Sequence, residues 1–166
     1  MSLYFYSKSA DKYPGKGVNE FVSDPLKYLE LSKIKDWRKV LSNFDVNPFI
    51  FEGKTYRTIE HVFQSKKISL VDPIKADFFT MESGHDIGKG DGLIAQKNRK
   101  LVVLNKSDLQ KWFYMSEDVM EKAAIAKYSQ CPVAMNILKL TGDTELWHVV
   151  SRKKPVRFIH LERIRN

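Results

Sequence analysis

Residues 58–68 read TIEHVFQSKKI, and the fold and the chemistry both turn on them. Thr58 suits the cap of a helix beginning at Ile59, because its hydroxyl can take an otherwise unpaired N–H of the first turn. Ile59, Val62, Phe63 and Leu70 then recur near the helical period and make an apolar stripe. Residues advance about 100° each, so Glu60 and Lys67, seven apart, fall within about 20° of one another, with Gln64 between them. The ends of this polar stripe lie about 10.5 Å apart along the axis, a distance that long side chains can span toward one ligand. On periodicity alone, a solvated helix face is the better account of the stripe. His61 and Lys66 fall beside it. HExxH is absent and no third ligand is near in sequence, so a metal site is not expected.

Upstream, FIFEGKTY (49–56) alternates Phe49, Ile50 and Phe51 before Glu52-Gly53, the pattern of a hairpin. Residues 3–7 (LYFYS) suit a short strand. Residues 25–40 place Leu26, Leu29, Ile34, Trp37 and Val40 at roughly helical intervals behind Pro25, which predicts one helix. Downstream, 73–81 predicts a helix with Pro73 in its first turn. Residues 85–100 predict a glycine-rich loop entering a helical or irregular segment. Residues 116–130 predict a helix capped by Ser116, with Val119, Met120, Ala123, Ala124 and Tyr128 facing the core. Residues 132–140 predict another helix, stopped by Gly142, and VRFIHLERIR at the end alternates partially, as a strand would. The totals predict a helix-rich α+β fold with a small β component.

The chain has 166 residues, 43% hydrophobic and 12% aromatic, enough for a packed core rather than disorder. No linker, repeat or low-complexity tract divides it, so one domain over 1–166 is expected. No apolar run approaches the roughly 18 residues of a membrane span, and MSLYFYSKSADK lacks a signal-peptide pattern. The single cysteine, Cys131, excludes an internal disulfide and fits a reducing intracellular compartment, cytoplasmic or nuclear. A net charge of +8 favours a polyanionic or phosphate-bearing partner.

The wider pattern points further. LSNF at 41–44, followed by FxFEGKTYRTIEHVFQSKK at 49–67, resembles the NADAR family, which includes the YbiA-like N-glycosidases. The family's SNF segment, its β segment ending in G-K-T-aromatic, and its E-H-x-F-Q helix followed by lysine occur here in order. Trp112 and Met120 match the spacing of its W…VM pair, ahead of an AxxAKY helix. The resemblance runs from about Tyr4 to Leu146. It departs at the C-terminal end, where ELWHVVSRKKPVRF stands in place of the W-G-D-G segment of YbiA-like members.

The resemblance implies a metal-independent N-glycosidase without a cofactor, which cleaves a bond between ribose and an amine. By resemblance Glu60 is the proton-transfer group and Lys67 an amine nucleophile that forms a Schiff base with the opened sugar. Lys67 would need its neutral form and is therefore expected to be buried. Asn43 offers a donor and an acceptor for a ribose hydroxyl or a base, or simply caps a loop. Phe44 and Trp112 can flank a base or pack in the core. Gln64 can read a base edge or hold Glu60. Two glycine-basic turns, one with Lys16 and one with Gly88 and Lys89, are phosphate candidates, with Arg99 just after the second.

Three functions remain open on these residues. The first is removal of ADP-ribose from guanine in DNA or RNA, favoured by the charge and the missing W-G-D-G. The second is cleavage of phosphorylated riboflavin-pathway intermediates, and the third is binding of ADP-ribose or nucleic acid without chemistry. The expected partner is ADP-ribosylated nucleic acid or a phosphorylated nucleoside-like molecule. No membrane partner is expected, and the protein is expected to be a monomer.

Overall fold

The computed structural model describes residues 1–166. In chain order the elements are β1 (Ser2–Phe5), a 3-10 turn at Pro25–Tyr28 leading into α1 (Leu29–Ser32), α2 (Trp37–Val40), β2 (Phe49–Phe51), β3 (Lys54–Tyr56) and α3 (Ile59–Ser69). There follow α4 (Pro73–Asp77), α5 (Asp86–Lys89), and α6 (Gly92–Lys97) with a 3-10 turn at Asn98–Lys100. The chain ends with α7 (Lys106–Gln130), α8 (Pro132–Leu140), β4 (Glu145–His148), β5 (Val156–Arg157) and α9 (Ile159–Arg165). The class is α+β and helix-rich, as expected. No helix is long and apolar enough to cross a membrane. The chain packs as two compact units, one of Met1–Ser42 with Pro132–Asn166 and one of Asn43–Cys131.

The first unit is organised by a three-stranded sheet in the order β1-β4-β5, with β1 parallel to β4 and β4 antiparallel to β5. Leu3, Phe5 and Leu146 point from the strands into a core shared with Leu31, Trp37, Ile137, Leu138, Phe158 and Leu161. The expected single helix over 25–40 is broken. Asp36 sits at φ +61°, in the left-handed region, and separates α1 from α2. Each short piece then turns its own face inward, so Tyr28, Leu31 and Trp37 are buried while Leu26 and Leu29 stay exposed. The expected C-terminal strand is also corrected. Only Val156 and Arg157 pair with β4, and the chain then becomes α9. Phe158 and Leu161, three apart, are the buried pair there, a helical spacing that the partial alternation concealed.

Arg38 organises the loop before α1. Its buried guanidinium donates to the carbonyls of Tyr4 (2.7 Å) and Lys12 (2.8 Å) and pairs with the Glu20 carboxylate. Glu20 also accepts the Gly15 N–H at 3.3 Å, and a side chain at Gly17 would run into the same carboxylate. The glycine turn around Lys16 is thus folded about a carboxylate of its own.

The second unit is built on α3 packed between α7, α4 and α6. The hairpin forms as expected: Phe49 and Phe51 are buried, Ile50 is 58% exposed, and Glu52 and Gly53 take positive φ in the turn. Residues 85–100 are more regular than expected. Asp91 caps α6 by accepting from Ile94 N at 2.9 Å, and Gly88 in α5 lies against the Thr80 carbonyl, where any Cβ would collide. The long helix also begins earlier than Ser116. Asn105 and Asp108 form a reciprocal capping box, Asp108 N donating to Asn105 at 2.8 Å and Asn105 N to Asp108 at 3.2 Å. Between 106 and 118 only Trp112 is buried, so this half of the helix carries no apolar periodicity to betray it.

Candidate active site

Thr58 caps α3 as its sequence suggests, accepting the His61 N–H at 3.1 Å. The same side chain fixes His61, whose ring is fully buried. Nε2 stands 2.8 Å from the Ile87 carbonyl, which only accepts, so Nε2 carries the proton. Nδ1 then accepts from the Thr58 hydroxyl at 2.7 Å. His61 thereby ties α3 to α5 and is no metal ligand. Burial pushes its pKa below the ordinary value. The unfolded chain therefore takes up a proton first as pH falls below about 6.5, so this contribution is intact above that pH and lost below it. Wild type is expected to lose more stability than His61→Gln between pH 7.5 and 5.5. Urea titrations at both pH values check this, and equal losses would contradict it.

The polar stripe of α3 is not solvated. Glu60 is 8% exposed and Gln64 5%. The Gln64 amide donates to Glu60 Oε1 at 2.8 Å, and the Glu60 backbone N–H donates to the Asn43 carbonyl at 3.1 Å. Burial pushes the Glu60 carboxyl above its ordinary range, against the opposing pull of Gln64 and of the positive charges on Lys67 and Arg99. Lys67 and Arg99 are thus close enough for their charges to act on Glu60. Lys67 itself is half-buried, which corrects the expectation that it would be enclosed. It projects from the last turn of α3, where the helix has less cover than at Glu60.

Two acceptors at this site have no partner. Asn43 Oδ1 and Gln64 Oε1 are buried without a hydrogen bond, an arrangement that costs free energy unless a ligand supplies donors. Asn43 is held with its Nδ2 3.7 Å from the Met120 sulfur on α7. Phe44, half-buried, lies over the start of α6. A Cβ at Gly92 would come within 2.6 Å of its ring, so glycine is required for this approach. Trp112 packs edge-on against Phe63 of α3, ring centroids 4.8 Å apart.

The structure therefore groups Asn43, Phe44, Glu60, Gln64, Lys67, Arg99 and Trp112 about α3. Gly88 and Lys89 sit on α5, where Gly88 serves the contact with Thr80 and the Lys89 carbonyl accepts from Arg57. Lys16 belongs to the other unit, and the Gly15 amide beside it is already taken by Glu20. A surface depression of about 750 Å³ lined by Pro73, Ile74, Asp77, Phe78 and His85 contains none of these residues. Sequence reasoning missed Asp45 and Lys127, which form an ion pair at 3.1 Å beneath the Asn43 loop. Lys127 is fully buried and burial pushes its pKa down. An apolar-looking AAIAKY run that contains a lysine was the one available signal.

Neither a protein-family model nor a curated protein matches the sequence. A solved structure does. The NMR structure of the E. coli protein YbiA superposes with a TM-score of 0.55 at 22% identity, over 92% of this chain and 70% of that one. The chain has a YbiA-like fold. The YbiA-like fold agrees with the family that the LSNF and EHVFQ segments resemble, and those segments are the ones that build the Glu60 site.

Proposed function

We propose that this protein is a metal-independent N-glycosidase that hydrolyses the ribose–amine bond of ADP-ribosylated guanine in nucleic acid. The observation that carries this reading is a buried carboxyl, Glu60, with raised proton affinity beside two unpartnered amide oxygens. A raised carboxyl pKa suits a group that must both hold and release a proton near neutral pH. Asn43 Oδ1 and Gln64 Oε1 fit ligand donors, such as ribose hydroxyls or the N–H groups of a base edge.

The steps balance as a hydrolysis. Protonated Glu60 gives its proton to the ring oxygen as the C1′–O4′ bond breaks, and the amine nitrogen's electron pair forms an open-chain imine with C1′. Lys67, as the free amine, adds to C1′. The guanine amine then leaves with a proton from the lysine nitrogen, and C1′ is held as the lysine Schiff base. Water adds to that carbon and its proton restores Glu60, the lysine departs as the amine, and ADP-ribose closes its ring. Arg99 and the overall charge of +8 favour a substrate rich in phosphate.

The test is to mix the protein with an ADP-ribosylated guanine oligonucleotide, with and without borohydride. Without reductant, free ADP-ribose is expected. With it, a stable adduct on the peptide containing Lys67 is expected, absent in Lys67→Ala. Normal turnover by Lys67→Ala would remove the Schiff-base role. Failure on the oligonucleotide together with cleavage of a phosphorylated riboflavin intermediate would move the function to small-molecule turnover.

A further inference from the structure

The segment Lys97–Ser107, KNRKLVVLNKS, carries four cations and no acid. Lys97, Arg99, Lys100 and Lys106 are all exposed. One end of the segment lies at the candidate site, since α6 and the 3-10 turn at Asn98–Lys100 pack against α3, the helix that carries Glu60. The other end enters α7, whose first half leaves large apolar groups in solvent. Phe113 is 76% exposed and Tyr114 75%, with Val103 and Leu109 also uncovered. The two rings touch edge to face, centroids 5.6 Å apart, while the preceding Trp112 turns inward onto α3.

The helix sets the order of these groups. Lys106 and Phe113 are seven apart and share one line of α7, about 10.5 Å from end to end. Lys111 lies within one turn of Tyr114 on the neighbouring line. Asp108 is engaged in the capping box, and Glu117 and Asp118 come one turn beyond the rings, Asp118 paired with Lys122 at 2.9 Å. The positive charge is therefore on the side of the rings toward Arg99, and the acids are on the far side.

We infer that the strip from Lys97 to Tyr114 holds single-stranded nucleic acid next to the modified guanine. Its phosphates lie against Lys97, Lys100, Lys106 and Lys111, and its bases stack on Phe113 and Tyr114. This rests on the glycosidase reading of the Glu60 site. Exposed rings beside cations are the composition of a single-strand track, because every unpaired base offers a stacking face and every phosphate a charge. Stacked duplex bases offer no such face. A second copy of the chain fits poorly, since a two-fold contact through this strip would set its five cations against their own copies.

The test uses fluorescence anisotropy with labelled oligothymidylate and the full chain. Phe113→Ala/Tyr114→Ala, both at exposed positions, is expected to weaken binding about tenfold or more. Lys97→Gln/Lys106→Gln is expected to reduce the slope of log affinity against log salt by about 1.4, at about 0.7 per phosphate contact on a single strand. Both variants are expected to cleave an ADP-ribosylated guanosine mononucleotide as wild type does. Equal oligothymidylate affinity in wild type and the aromatic variant would overturn the inference. So would equally tight binding to a duplex of the same length, or a dimer that the aromatic variant abolishes. Ring-dependent binding by a wild type that cleaves no ADP-ribosylated substrate would instead sink the glycosidase reading and leave the strip standing.

Discussion

Glu60→Gln is expected to lower ADP-ribose release by about 10²–10⁴-fold, the usual worth of a positioned proton-transfer group. The substitution keeps the shape of the side chain and its contact with Gln64, so substrate binding should change little. It should also stabilise the fold at neutral pH. The folded carboxyl has a raised pKa, while the unfolded chain ionises near about 4.3. Between those values the folded state binds the extra proton, so stability is fully present below the lower one and is lost as pH rises through the folded pKa. Glutamine never ionises and escapes that loss. The variant should therefore melt above wild type at pH 7, and the gap should close below about pH 4. A less stable variant at pH 7 would mean that the ionised carboxylate is better solvated than its burial implies. An inactive enzyme of higher stability is the signature of a side chain kept for chemistry.

Lys127→Met is expected to cost about 3–5 kcal/mol, because it strands the Asp45 carboxylate after removing its partner from the protein interior. The ammonium side chain is 1% exposed and that of Asp45 17%, so partial hydration of Asp45 sets the loss toward the lower figure. Asp45 lies two residues beyond Asn43 in the loop whose carbonyl receives the Glu60 N–H. The same variant should therefore raise KM as well as unfold more easily. Replacing both partners, Lys127→Met with Asp45→Leu, should recover much of the stability, since no unpaired charge is left. Urea titrations of the two singles and the double measure the coupling. A single-variant loss below about 1 kcal/mol would show that the pair is hydrated and is not what anchors the loop.

The parts of the fold legible in the sequence are those with local rules. The hairpin at 49–56 carries alternation and a Glu-Gly turn, and α3 carries its cap at Thr58, so both were placed closely. The 25–40 segment failed because a single left-handed residue, Asp36, rephases the chain, and no periodicity count detects that. The front half of α7 was missed because it stands largely in solvent, so its capping box was the only cue. At the site, spacing placed Glu60, Gln64 and Lys67 on one stripe, and the family resemblance singled out Glu60 and Lys67. Their burial depends on Asn43, α6 and α7, which are distant in sequence. For that reason Glu60 and Gln64 proved more enclosed than a polar stripe suggests, and Lys67 less so than its proposed chemistry suggested.

The role of Glu60 is tested most directly by release of free ADP-ribose from a guanine-ADP-ribosylated oligonucleotide, with wild type and folded Glu60→Gln side by side. Wild type is expected to release ADP-ribose, and the variant to lose about 10²-fold or more of that rate. Equal release by both proteins would contradict that role, because the buried carboxyl would then take no part in the chemistry.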